Sequence, residues 1–272
     1  MVEVVYEVGI NANGSVETAE RMIDVAVASG CNYVKFQKRK VDLVYTPEEL
    51  AVFRESPWGT TTKDQKEGLE FGASEYQEID KYCQGKIKWF ASPWDSVSLR
   101  FLTQFGIPFI KIPSAKLTDK LLLEATTYVG IPVILSTGMS TWEELEIALD
   151  IIPRNMIYAI LHCTSTYPTK PEECNVSCIN HLKQRYPWAK IGFSNHYPGL
   201  MAMVMALSYG AEMIEFHGTL DRTLYGSDQA ASIEPQGVFD FMARVRLFEK
   251  MRGDGVKCVY PSEIPIMKKL RR

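Results

Sequence analysis

Short runs of apolar, often β-branched residues alternate along the whole chain with longer stretches of helical period. The runs are Val4–Ile10, Tyr33–Gln37, Ile87–Ser92, Phe109–Ser114, Pro132–Thr137, Tyr158–Cys163, Lys190–His196 and Met213–Thr219. Each is close to continuously apolar, as parallel strands covered on both faces are. Between them, Ser15–Ser29 carries apolar residues at Ala19, Met22, Ile23, Ala26 and Val27, one face of a helix. Similar stretches follow at Glu75–Cys83, Ser96–Phe105, Asp119–Val129, Trp142–Ile151, Asn175–Arg185, Leu200–Tyr209 and Gly237–Lys250. Asp95, Thr118 and Thr141 stand where N-caps belong. Gly30, Gly106, Gly130 and Gly210 stand where helices close on a left-handed glycine.

Eight strand-then-helix units in 272 residues predict an α/β fold of the closed (β/α)8 or TIM-barrel type. A doubly wound sheet would carry a Gly-rich fingerprint after its first strand, and none stands there. The barrel is expected over residues 1–262. Residues 263–272, with Lys268, Lys269, Arg271 and Arg272, read as a solvated basic tail. The segment Lys38–Ser74, with Pro47, Pro57, Gly59 and three threonines at 60–62, is too polar for core and too long for an ordinary loop; it is expected over the barrel mouth.

Composition narrows the classes further. The chain is 46% hydrophobic and 23% charged with a formal net charge of −3, which gives no broad cationic footprint for nucleic acid. No apolar run approaches the roughly 18 residues of a membrane helix, and Met1 is not followed by a secretory leader pattern. The six cysteines are scattered, and Cys174-x3-Cys178 has no second pair to complete a zinc site; reduced thiols in a cytoplasmic protein are the plain expectation.

In a barrel of this class, chemistry sits where strands end and βα loops begin. Those points carry Glu7, Asn11, Lys35, Gln37, Ser92, Lys111, Ser114, Ser136, Thr137, Thr164, Ser165, Tyr167, Ser194, Asn195, His196, Glu215 and His217. Lys35 and Lys111 lie inside apolar strands, and a lone buried ammonium costs several kcal/mol. Either an internal partner such as Glu7 pairs with them, or they meet an anionic ligand such as a phosphate or carboxylate. His196 and His217 end adjacent strands, where two neutral imidazoles with waters suit Mn, Co, Zn or Fe and leave positions for substrate. Asp221 and Asp228 follow. His162 and His181 read as structural, and Met201, Met203 and Met205 as packing residues.

These residues fall in motifs that together resemble the N-acetylneuraminate (sialic acid) synthases and their legionaminate and pseudaminate relatives. The motifs are Glu7-Val8-Gly9-Ile10-Asn11-Ala12-Asn13-Gly14, Val34-Lys35-Phe36-Gln37, Ala91-Ser92-Pro93-Trp94-Asp95 and Ile110-Lys111-Ile112-Pro113-Ser114. They continue as Leu135-Ser136-Thr137-Gly138-Met139, His162-Cys163-Thr164-Ser165-Thr166-Tyr167-Pro168, Gly192-Phe193-Ser194-Asn195-His196 and Glu215-Phe216-His217. The resemblance runs from Glu7 to about Arg272. It implies a phosphoenolpyruvate-dependent, C–C bond-forming transferase of carbohydrate biosynthesis that condenses phosphoenolpyruvate with an aldose like N-acetylmannosamine. It further implies that Lys35, Lys111, Ser92, Ser114, Ser136, Ser165, Tyr167 and Ser194 surround phosphoenolpyruvate. His196 and His217 would hold a divalent metal, Mn first, with Mg, Co or Zn as alternatives. Asp228 would orient a metal-bound water, and Glu7 would serve acid–base chemistry.

The chain also departs from the family pattern. Ala12 replaces a usual histidine, Lys116 stands where many members have an acid, and Gly226-Ser227-Asp228-Gln229 replaces Gly-Pro-Asp-His. Family members continue beyond an Arg-Arg linker into an antifreeze-like domain that reaches the partner barrel of a homodimer; this chain ends at Leu270-Arg271-Arg272. That domain is then a separate chain, has been removed, or is not needed for the sugar used. Two other functions stay open: a 2-keto-3-deoxy sugar acid synthase taking a phosphorylated or non-acetylated aldose, and a catalytically silent barrel acting as a binding module.

Overall fold

The computed structural model describes residues 1–271, so Arg272 of the basic tail lies outside the described residues. Eight parallel strands close into one barrel: β1 (Glu3–Glu7), β2 (Tyr33–Lys38), β3 (Lys88–Pro93), β4 (Ile110–Ile112), β5 (Val133–Ser136), β6 (Ile157–Cys163), β7 (Lys190–Asn195) and β8 (Met213–His217). Each strand pairs with its neighbours in sequence, and β1 pairs with β8 to close the ring. The outer helices are α1 (Val16–Ser29), α2 (Ala73–Cys83), α3 (Ser96–Leu102), α4 (Lys120–Val129), α5 (Trp142–Ile151), α6 (Cys178–Arg185), α7 (Met201–Ser208) and α8 (Pro235–Met251). The expected TIM barrel is therefore the fold.

Where strand and helix limits differ from the sequence expectation, backbone chemistry accounts for it. β1 stops at Glu7 rather than Ile10 because Gly9 turns the chain at φ 51. β4 is three residues long because Pro113 has no N–H to extend the ladder. Asn175 takes a left-handed φ of 39, so α6 begins three residues later, at Cys178. Asp119, not Thr118, caps α4, accepting from the Leu122 amide at 3.1 Å. Asp95 and Thr141 cap α3 and α5 as expected. Gly30, Gly130 and Gly210 take positive φ, whereas Gly106 does not.

The strands are not uniformly apolar, and period-2 alternation explains how they still read that way. On β2, Val34 and Phe36 face the helices, where Phe36 packs edge-on against Tyr76 and Trp89. Lys35 and Gln37 face the lumen and line its upper cavity. On β8, Phe216 meets Phe241 of α8, while Glu215 and His217 line the cavity. The lower end of the lumen carries a polar network. Glu3 accepts from Tyr158 at 2.7 Å and from Lys190 at 2.7 Å, and Lys190 also donates to Tyr158 at 2.8 Å.

The excursion between β2 and α2 is structured rather than an irregular flap. It holds three short helices (Val41–Val44, Pro47–Ala51, Thr62–Gly68) and an antiparallel hairpin (Phe53–Ser56 with Gly59–Thr61). It reaches the loop after β8, where Trp58 packs edge-on against Tyr225 with ring centres 5.9 Å apart. Of the three methionines on α7, only Met203 is buried; Met201 and Met205 are exposed, so the packing expected of all three holds for one. His181 is exposed, and His162 is buried with Nε2 3.0 Å from the Cys174 carbonyl oxygen, both in structural settings. Lys268, Lys269 and Arg271 are exposed, and the tail includes a short helix, Ile264–Leu270. Among the described residues, no helix is long and apolar enough to cross a membrane.

A Cβ at Gly218, just after β8, would overlap the ring of the fully buried Tyr6. Gly218→Ala should therefore cost about 1–3 kcal/mol in urea unfolding, the range of core overpacking. Gly106→Ala, with nothing within 4 Å of the added carbon, should stay within about 0.5 kcal/mol of the parent.

Candidate active site

The upper lumen is a cavity of about 170 Å³ lined by Lys35, Gln37, Ser92, Trp94, Lys111, Pro113, Ser114, Ala115, Ser136, Met139, Cys163, Ser165, Tyr167, Ser194, His196, Glu215 and His217. Ten of the expected site residues are thus in one place. Glu7 is fully buried and touches the same group through Lys35 and Gln37. Asp228 stands behind His217 rather than in the lining, its Oδ2 3.6 Å from His217 Nδ1.

At the centre are two ammoniums and two carboxylates, all buried. Lys35 pairs with Glu7 and lies 3.8 Å from Glu215. Lys111 donates to Glu215 Oε1 at 2.9 Å. β4 and β8 stand opposite each other in the ring, so this second pair spans the lumen. Both lysines accordingly have internal carboxylate partners, which settles one of the two explanations raised by the sequence without removing the other. Glu215 was recognised on the rim but not as the partner of Lys111. The pairing joins residues 104 apart in sequence, and no local pattern signals it.

The carboxyls are driven apart. Burial pushes Glu7 up to about 7, and the Lys35 ammonium offsets only part of that. Glu215 feels the same burial, but Lys111 and then Lys35 hold it down at about 2. Burial also pushes the Lys111 ammonium below its ordinary value, against the pull of Glu215.

One wall is a cluster of hydroxyls around Gly138. The Gly138 amide donates to Ser114 Oγ at 3.0 Å, and a Cβ on Gly138 would collide with Ser165 Oγ. Only glycine lets the backbone come this close to both serines. Ser136 Oγ is buried with no partner within the protein, a donor left available to a ligand. Ser92 accepts from Lys35 at 3.3 Å, and Ser194 donates to Glu215 at 3.0 Å.

The adjoining wall is aromatic and imidazole. The rings of His196 and His217 have centres 5.5 Å apart, and Tyr167 packs on His196 at 4.0 Å and on His217 at 5.6 Å. His196 Nδ1 lies 2.7 Å from the Thr164 carbonyl oxygen, so that nitrogen carries the proton and Nε2 is left as the acceptor. Burial holds His217 down at about 4, hence neutral at pH 7. Its Nδ1 is buried without a hydrogen-bond partner. Cys163 Sγ lies 3.6 Å from His196 Nδ1. Burial pushes this thiol up, but His196, Ser114 and Lys111 together outweigh that and bring it to about 7. A lone cysteine at a strand end reads as core, so the sequence gave no sign of this contact. Two imidazoles suit a divalent metal that completes its shell with water and substrate oxygens. Among the described residues, no group of three or more His, Cys, Asp or Glu side chains is set to hold one alone.

The three departures from the family pattern do not line the cavity. Ala12 is in the core. Lys116 pairs with Asp119 at 3.2 Å. Gln229 is buried, bonded to Thr219 Oγ1 and to the carbonyls of Asn11 and Tyr225, where it fastens the loop carrying Asp228.

Two measurements test this electrostatic picture. Lys111→Met strands a buried carboxylate and should lower unfolding free energy by about 3–5 kcal/mol; adding Glu215→Gln should recover much of the loss. The pH windows of the two carboxyls should be opposite in sign. Glu7 keeps its proton in the folded state above its ordinary 4.5, so its contribution falls as pH rises from 4.5 to about 7. Glu215 contributes fully above 4.5, and that contribution is lost as pH falls toward about 2. Urea midpoints of the parent and of Glu7→Gln should accordingly converge as pH falls below 7, with the parent the less stable above it.

The model of the NeuB family matches residues 22–257. N-acetylneuraminate-9-phosphate synthase of Mus musculus is 33% identical over 271 residues, covering 98% of this chain and 76% of the relative. N,N'-diacetyllegionaminic acid synthase of Campylobacter jejuni is 31% identical, covering 96% of this chain and 80% of the relative. The crystal structure of the N-acetylneuraminic acid synthetase of Leptospira borgpetersenii superposes with a TM-score of 0.86 at 32% identity, over all of this chain and 93% of that one. With its barrel, its motifs and the length of chain matched, this protein belongs to the NeuB family of sialic acid synthases and their relatives.

Proposed function

We propose that the chain condenses phosphoenolpyruvate with an aldose to give a 2-keto-3-deoxy sugar acid of the nonulosonate type and phosphate. The observation that carries this reading is the pairing of the Lys35–Lys111 quartet with the unpartnered Ser136 hydroxyl in one cavity of the NeuB barrel. Two ammoniums and the hydroxyls of Ser92, Ser114, Ser136, Ser165 and Ser194 suit a small ligand with a phosphate and a carboxylate. Because Glu7 titrates near 7, protonating it leaves the quartet with net positive charge, which favours an anion.

His196 and His217 would hold a divalent metal, with Asp228 behind His217 orienting a water. A bound Mn, or Mg, Co or Zn, would supply Lewis acidity toward the aldehyde oxygen. The protein residues do the rest. Lys35 and Lys111 orient phosphoenolpyruvate so that its C3 faces the aldehyde carbon, and the C–C bond forms there. Water then adds to the cation at C2 of the former phosphoenolpyruvate, and phosphate leaves with its C–O bond. Glu7, poised near neutral pH, takes and returns the proton these steps move. Positioning of two reactants in a dry, charged lumen supplies most of the rate gain.

Sugar identity rests on acceptor contacts beyond the quartet. Relatives make both free and phosphorylated sugar acids by their names, and an N-acetylmannosamine-like aldose is the first candidate. The protein with Mn and phosphoenolpyruvate should release phosphate and form a 2-keto acid with at least one member of a panel of N-acetylated, free and phosphorylated aldoses. His196→Ala should lose nearly all turnover, and loss of both histidines should abolish Mn binding measured by calorimetry. Silence of the parent across the panel would overturn the condensation; unchanged Mn binding would overturn the metal assignment alone.

A further inference from the structure

We propose that Arg39, outside the cavity lining, is a positioning residue that fixes the Gln37 amide so that it donates to Glu7. The inference rests on the reading that Glu7 takes part in the chemistry. Arg39 Nη2 lies 2.6 Å from Gln37 Oε1, and Gln37 Nε2 lies 3.1 Å from Glu7 Oε1. A guanidinium has donors only. It can meet only the oxygen end of the amide, so the NH₂ end must face Glu7. Without Arg39 that orientation is held only by the carboxylate itself, and once Glu7 is protonated the amide is free to flip and accept from it through its carbonyl oxygen.

Arg39 is itself held on every side. It is 7% exposed. Its Nε forms an ion pair with Glu70 at 2.7 Å without hydrogen-bond alignment, Nη1 donates to Tyr45 at 3.0 Å, and the guanidinium stacks 4.7 Å from the Trp94 ring centre. Glu70 also accepts from the Arg39 amide at 3.1 Å and pairs with Lys38 at 3.2 Å. Tyr45 and Glu70 belong to the excursion after β2, while Trp94 follows β3 and lines the cavity. The excursion therefore reaches the Glu7 carboxyl through one planar fork and one amide. A lysine would keep the charge beside Glu70 but offers a single point, not three diverging donors.

Arg39→Lys, Gln37→Met and the double variant test this, with Tyr45→Phe as a milder release of the fork. Arg39→Lys should lower kcat for phosphate release roughly ten- to hundredfold, read at a temperature where circular dichroism shows the variant folded, because losing the fork's contacts also lowers its unfolding midpoint. The loss should vanish in the Gln37→Met background if Arg39 works through Gln37, and persist there if it works through its stack on Trp94. In ¹³C-glutamate-labelled protein at fixed pH, the Glu7 carboxyl signal, identified by its absence in Glu7→Gln, should move the same way in Arg39→Lys and Gln37→Met, and less in Tyr45→Phe. Full activity of Arg39→Lys, independent losses in the double variant, or an unmoved Glu7 signal would each overturn the proposal. A parent with no turnover would instead overturn the condensation reading, and the carboxyl signal alone would then decide the role of Arg39.

Discussion

Four charges buried together in the upper lumen set the terms for everything around them. Lys35, Lys111, Glu7 and Glu215 come from β2, β4, β1 and β8, and removing Lys111 leaves the Glu215 carboxylate short of its nearest partner in low dielectric. An apolar filling of the same volume would be cheaper for stability alone. The quartet instead gives the barrel an interior in which one carboxyl titrates near neutrality and the other stays ionised. That asymmetry follows from geometry: Glu215 lies between both lysines, whereas Glu7 depends mainly on Lys35.

The rest of the barrel serves this arrangement. Alternation along each strand sends Val34, Phe36 and Phe216 outward to the helices and leaves the lumen to polar groups. The lower end carries its own network of Glu3, Tyr158 and Lys190, apart from the charged cavity near the βα loops. Gly138 brings the Ser114 and Ser165 hydroxyls together on one wall. The excursion after β2 supports the cavity from outside through Arg39, Trp94 and Gln37.

Several substitutions that depart from the family motifs lie outside the cavity lining and have partners of their own in the fold. Ala12 is a core residue, Lys116 closes on Asp119, and Gln229 ties the β8 loop to Thr219 and Asn11. Conversely, Cys163 and Arg39 carry no site expectation in the sequence, yet one sits against His196 and the other is buried behind Gln37.

The sequence alone determined the barrel, because eight apolar runs separated by capped helices admit few other closures, and parallel strands place their ends on one rim. It also located the lysines, serines and histidines on that rim, since a charged residue inside an apolar strand stands out against its neighbours. What it left to the tertiary structure was pairing. Whether Lys111 meets a ligand or Glu215, which nitrogen of His196 is free, and what orients Gln37 all depend on side chains from strands and loops far apart in the chain. Such contacts are set by barrel closure and register, which no local pattern of residues records.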